Sequence, residues 1–157
     1  KIYNFKICGD LQCSSQMGKI TKFKGFTLLC PNEKEARIAL EDNEIGLEQL
    51  SLKLIDITQA DKVIMKLGAN GFLSYMKNPV DNNMISQSFP ALSANPVDVT
   101  GAGDSLLALI SAGISTNQEF MAISALACCI SSLAVNNLGN LPISYDQLKE
   151  YLNELMN

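Results

Sequence analysis

Histidine and tryptophan are both absent from the 157 residues. Without histidine, the Ser-His-Asp and Cys-His nucleophile schemes have no base, and every histidine-bearing metal site is excluded. Aromatic residues make up only 6%, so no platform for stacking nucleic-acid bases is indicated. Cations are outnumbered, with 12 Lys and Arg against 16 Asp and Glu, a formal charge of −4 and a pI near 4.8. That balance argues against a nucleic-acid partner. No apolar run approaches the roughly 18 residues of a membrane span; the longest, Leu106 to Ile114, is short. Five cysteines are present: Cys8, Cys13, Cys30, Cys128 and Cys129. The odd count makes a poor disulfide framework, and no Cys-x-x-Cys suggests zinc. Cys128 and Cys129 lie in an apolar run, where cysteine acts as a small hydrophobe. A reducing, cytoplasmic compartment is expected.

What is present is enough for one core. Hydrophobic residues are 47% and charged residues 18%, which excludes disorder, and the length suits one domain. Alternation over Lys1–Cys8 predicts a strand ended by Gly9-Asp10, and Leu11–Lys24 reads as irregular. Phe26–Cys30 predicts a buried strand stopped by Pro31-Asn32. Helices are expected over Glu33–Glu41, with acids in the first turn, and over Ile45–Ala60. Val63–Leu67, the tight turn Gly68–Gly71 and Phe72–Met76 predict a hairpin, with a further strand over Met84–Phe89. Two poorly charged helices follow, Ser105–Ser115 and Gln118–Val135, then a loop Asn136–Pro142. A last helix runs over Ser144–Met156, with Ser144 as N-cap and Gln147 at the capping-box position. Strands alternating with helices predict an α/β layered fold with a mostly parallel sheet.

The informative segment is Asp98-Val99-Thr100-Gly101-Ala102-Gly103-Asp104. Two glycines open a helix whose bare N–H groups and dipole favour an anion. Asp104 follows within the first turn. A carboxylate beside an anion site repels phosphate unless it has a task, and accepting a proton from a hydroxyl is the task that fits. A tight strand-to-helix turn with a helix-start acid explains the same four residues Gly101–Asp104 equally well when they are taken alone. No Gly-Lys-Ser/Thr follows, so this is not a Walker loop.

Asp98–Asp104 resembles the C-terminal signature Asp-Thr-Thr-Gly-Ala-Gly-Asp of the ribokinase-like, or PfkB, carbohydrate kinases, with Val99 in place of the first Thr. Pro31-Asn32-Glu33-Lys34-Glu35 resembles the family's Pro-Asn-x-x-Glu. Lys66-Leu67-Gly68-Ala69-Asn70-Gly71 resembles its Thr-Leu-Gly-x-x-Gly turn. Asn137-Leu138-Gly139-Asn140 falls where the family has its Gly-containing loop. The four stand in family order over about Phe26 to Ser144. Within the family the layout is similar to bacterial heptose-phosphate kinases. Gly9-Asp10-Leu11-Gln12 echoes their Asp-Pro-Lys-Gly, with Gln12 in place of the Lys, and Gly25–Leu29 echoes the strand before Pro-Asn.

The resemblance implies a Mg²⁺-ATP-dependent kinase acting on a sugar or sugar phosphate. It implies Asp104 as general base and Gly101, Ala102 and Gly103 as anion hole. Asn32 and Glu35 would help place Mg²⁺ and phosphates through water. Lys66, Leu67, Gly68 and Gly71 would contact the nucleotide, and Cys128 stands near the family's adenine-side Asn. Asp98 and Thr100, with Ala134, Asn137 and Gly139, would form a monovalent cation site that many members fill with K⁺. It further implies that residues 1–157 are the C-terminal part of a ribokinase-like domain. The N-terminal sugar-binding half and lid would then belong to a longer protein, and self-association is among the partnerships allowed. By itself the chain is expected to bind nucleotide weakly and phosphorylate nothing. The other class of function is a non-catalytic regulatory or assembly domain on a kinase-derived scaffold.

Overall fold

The computed structural model describes residues 5–10, 20–78, 80, 81, 83–93 and 95–156. Among the described residues, five strands form one sheet in the order β1-β2-β3-β4-β5: β1 (Cys8–Gly9), β2 (Leu28–Leu29), β3 (Lys62–Lys66), β4 (Phe72–Lys77) and β5 (Met84–Phe89). β1 pairs parallel with β2, Cys8 opposite Leu28, and β2 pairs parallel with β3, Leu28 opposite Lys62. β3 and β4 are antiparallel, Lys62 opposite Met76. The sheet is therefore mixed rather than mostly parallel. The reason is local: Gly68–Gly71 allows an immediate hairpin return, whereas a parallel neighbour needs a long crossover. That turn is a single 3-10 turn over Gly68–Asn70.

The strands before the hairpin are shorter than their sequence runs suggest. Phe5–Ile7 lies outside the ladder, and Phe26–Cys30 contributes only Leu28 and Leu29. The predicted start of the first strand, and Ser14–Gln16, lie outside the described residues. The stretch read as irregular contains a 3-10 turn over Ile20–Lys22 with Ile20 buried.

Among the described residues there are five α-helices: α1 (Glu33–Leu40), α2 (Leu47–Thr58), α3 (Ala102–Ser115), α4 (Phe120–Val135) and α5 (Tyr145–Met156). α3 begins three residues earlier than its apolar stripe predicts, at Ala102, because Gly101 supplies the turn (φ +80°). α5 starts as expected. The Ser144 N–H donates to Gln147 Oε1 at 2.8 Å and the Gln147 N–H to Ser144 Oγ at 3.2 Å, a reciprocal capping box.

The chain divides into two compact units, Lys1–Gly68 with Phe72–Ser88, and Ala69–Gly71 with Phe89–Asn157. In the first, Leu50, Leu54 and Ile55 of α2 pack with Leu29, Val63, Met65 and Ala36 into one core. In the second, α3 and α4 pack closely. A methyl group on Gly113 would come within 2.5 Å of Ile123 Cγ2, so only glycine lets the two backbones approach this far.

Candidate active site

In the first unit, β1, β2 and β3 bring Asp10, Cys30–Asn32 and Lys66 to neighbouring carboxyl ends. Carboxyl ends of parallel strands are where α/β sheets bind ligands. The Lys66 N–H donates to Pro31 O at 2.8 Å, and Asn32 bridges Lys66. The spacing of Asn32 and Glu35 is a capping box. The Glu35 N–H donates to Asn32 Oδ1 and the Asn32 N–H to Glu35 Oε2, both at 2.8 Å. Each side chain thus serves the other's backbone and satisfies orphan donors of α1. An open cleft of about 540 Å³ lies beside this corner, lined by Asn32, Lys34, Arg37, Lys66, Leu67 and Gly68 among others. Lys66, expected to meet nucleotide, forms an ion pair with Asp10.

The second unit holds Gly71 and the rest of the predicted site. Asp98 is its organising carboxylate. Oδ1 accepts from the Thr100 N–H at 2.9 Å and Oδ2 from the Gly139 N–H at 3.0 Å. Hydrogen bonds from the Thr100 side chain, then from the Thr100 and Gly139 backbone, hold the Asp98 carboxyl below the usual range, because each stabilises the charged form. The Val97 and Asp98 N–H groups both donate to Val135 O, at 2.8 and 3.0 Å. These bonds tie the segment before α3 to the end of α4. Asp98, Thr100 and Gly139 are therefore brought together. The Ala134 carbonyl, near the end of α4, accepts from the Asn137 N–H at 3.3 Å.

Asp104 is exposed in the first turn of α3. No side chain caps that helix. The Ala102 N–H reaches back to Val99 O at 3.4 Å, while those of Gly103 and Asp104 stand where a helix has no internal acceptor. Cys128 is buried, and its thiol donates to Pro90 O at 2.9 Å. Burial, reinforced by Cys129, pushes it up to about 11. Its single S–H is spent on the chain itself.

Two residues have partners that the sequence reading missed. Asp10 reads as a turn residue after a strand and as part of the Gly9–Gln12 echo, but not as a partner of Lys66, 56 positions away. Asn140 reads only as the last residue of the Gly-containing loop Asn137–Asn140, with no role of its own. Its Oδ1 lies 1.9 Å, and its Cγ 2.5 Å, from where a Cβ on Gly101 would stand. The space vacated at Gly101 is thus taken by a side chain of the chain's own loop.

Among metals, Mg²⁺ prefers few carboxylates plus water and phosphate oxygens. No group of three or more His, Cys, Asp or Glu able to hold an ion occurs among the described residues. The Asp98 carboxylate and the carbonyls near it offer only oxygen, the donor set a hard monovalent ion takes, and each Asp98 oxygen keeps lone-pair capacity beyond one N–H. Among the described residues no helix is long and apolar enough to cross a membrane.

The fold matches ribokinase from Thermotoga maritima with a TM-score of 0.78 at 22% identity, covering 96% of this chain and 50% of that one. It also matches Arabidopsis thaliana ribokinase complexed with ribose and ATP, with a TM-score of 0.73 at 22% identity, covering 94% and 47%. The model of the pfkB family carbohydrate kinases matches residues 10–144, and the chain belongs to that family. The bifunctional protein HldE of Desulfatibacillum aliphaticivorans is 25% identical over 138 residues, covering 85% of this chain. The chain spans about a quarter of that relative's length, 27%.

Proposed function

We propose that the chain serves, as part of a longer protein, in the transfer of a phosphoryl group from Mg²⁺-ATP to a hydroxyl of a sugar or sugar phosphate. The observation that carries this reading is the placement of Asp104. It is an exposed carboxylate in the first turn of a helix without a side-chain cap, directly after a glycine turn with φ +80°. Asp104 accepts the proton of the attacking hydroxyl. The N–H groups of Gly101, Ala102 and Gly103 face the negative charge that develops on the transferring phosphoryl group, where fixed dipoles cost no reorganisation. Asn32 and Glu35 would help place Mg²⁺ and phosphates through water, Glu35 because its Oε2 already serves the α1 cap. Lys66–Gly71 contacts the nucleotide through its backbone. Mg²⁺, when bound, neutralises phosphate charge and shapes the transferring group. Asp98, Thr100, Ala134, Asn137 and Gly139 would hold K⁺ next to the turn, where its charge would help keep the N–H groups aimed.

The match to HldE and the echo of the heptose-phosphate kinase layout make a heptose phosphate the first acceptor to try, alongside free ribose and fructose 6-phosphate. The test is turnover of the full-length protein with each acceptor, with and without K⁺, in wild type and Asp104→Asn. Loss of the base is expected to reduce turnover by about 10²–10⁴-fold while the thermal midpoint and nucleotide affinity stay near wild type. Near-normal turnover in Asp104→Asn would refute the assignment.

A further inference from the structure

The cleft of the first unit is lined by a cation that the fold does not use. Lys34, Arg37 and Ile38 stand at i, i+3 and i+4 on α1, so they share one helical face, and all three line the cleft. Arg37 is held in place: it meets Glu33 at 2.8 Å and donates to Ile45 O at 3.1 Å. Lys66, also in the lining, pairs with Asp10. Lys34 is exposed and makes no hydrogen bond or ion pair among the described residues.

Its place in the helix is also unfavourable for a cation. With Asn32 as N-cap, Lys34 is the second residue of α1, where the helix dipole favours anions. The side chain three positions on, Arg37, carries the same charge. Glu33 and Glu35, adjacent in the chain, project to other faces of the helix. Local helix chemistry therefore gives no reason for a lysine here. A residue that breaks a local rule without a return in the fold marks a functional position. This one lies in the first turn of the helix that the Asn32–Glu35 box opens.

We propose that Lys34 binds the phosphate chain of the nucleotide, its ammonium meeting a phosphate oxygen in the cleft of the first unit. The identity of the ligand rests on the kinase reading above; the anion-binding role of the ammonium rests on the cleft and the helix. A lysine acts on phosphate as a point charge on a flexible stem. It serves the bound nucleotide before transfer as well as during it, so its loss is read in KM for Mg²⁺-ATP more than in kcat.

The test uses the full-length protein as wild type, Lys34→Met, Lys34→Glu and Lys34→Arg. Methionine keeps the apolar stem and removes the charge. Binding of Mg²⁺-ATP and of Mg²⁺-tripolyphosphate is measured by calorimetric titration, KM and kcat by turnover, and stability by thermal midpoint. Lys34→Met is expected to weaken Mg²⁺-ATP by about 3–10-fold and Lys34→Glu by about tenfold or more, with Lys34→Arg within about threefold of wild type. The gap between wild type and Lys34→Met should narrow as salt is raised. The midpoints of Lys34→Met and Lys34→Glu should lie at or above wild type, by up to about 3 °C, because a misplaced cation has left the helix start. A packing role would move both readouts down together, and that result overturns the proposal. So does an affinity within twofold of wild type in Lys34→Glu, or a Lys34→Arg protein as weak as Lys34→Met. If these variants bind normally while Asp104→Asn loses turnover, the kinase reading stands and this proposal falls. If wild type takes Mg²⁺-tripolyphosphate but not Mg²⁺-ATP, and Lys34→Met weakens it, the anion role of Lys34 stands and the kinase reading falls. If wild type takes neither, both fall.

Discussion

The turn between β3 and β4 contains two glycines of left-handed backbone that the sequence motif treats alike and the structure does not. Gly68 has φ +59° and nothing within 4 Å of where a Cβ would stand. Gly71 has φ +83°, and a Cβ there would lie 2.0 Å from Phe89 O and 2.7 Å from both Pro90 C and Ala91 N. Alanine at either position adopts a left-handed conformation at a cost of about 1–2 kcal/mol. Both substitutions also lose the same unfolded-chain entropy, about 0.4–1 kcal/mol in favour of alanine, so this contribution cancels in the comparison. At Gly71 the obstacles are backbone atoms that no rotamer change can move, which adds about 1–3 kcal/mol of overpacking. Taking roughly 2–4 °C per kcal/mol for a chain near this size, Gly71→Ala should melt about 2–12 °C below Gly68→Ala. Thermal unfolding followed by circular dichroism at 222 nm measures the difference directly. Equal midpoints for the two variants would refute the argument, because they would mean that Phe89–Ala91 yields as freely as solvent.

Asn32→Ala should lower the midpoint by roughly 2–4 °C through loss of the α1 cap, while Asn32→Asp, an equally good cap, should hold it; equal losses in the two would sink the capping argument. The carboxyl of Asp98 is depressed by its Thr100 and Gly139 bonds, so its stabilisation is full above the ordinary carboxylate range and disappears as pH falls through its lowered value. The midpoint gap between wild type and Asp98→Ala should therefore be widest near pH 7 and close below about pH 4; a gap independent of pH would refute this. With the Cys128 thiol pushed up to about 11, only about one thiol in a thousand is ionised at pH 8. A disulfide reagent should label Cys128 far more slowly in the native than in the urea-unfolded protein, and equal rates would contradict its burial against Pro90.

Local chemistry was readable in the chain. The Ser144–Gln147 box, the hairpin at Gly68–Gly71 and the two apolar helices follow from short-range spacing that any segment carries with it. The glycine turn before Asp104 was likewise legible, because its φ of +80° is a demand glycine answers without help from other elements. Strand extent was not. Phe26–Cys30 looks like five residues of strand, yet only Leu28 and Leu29 enter the ladder, since pairing is decided by the neighbouring strands as much as by the run itself.

The sequence by itself determined the family motifs, their order and the chemical types they present: a free carboxylate, bare helix N–H groups and an Asn-x-x-Glu at a helix start. Only the tertiary structure decided which groups remain available. Asp10 reaches Lys66 across 56 residues, Asp98 clasps Gly139 across 41, and the Asn140 side chain fills the notch at Gly101. These pairings depend on register and chain return, which no local pattern encodes, and they determine whether a side chain is a ligand, a counterion or a clasp.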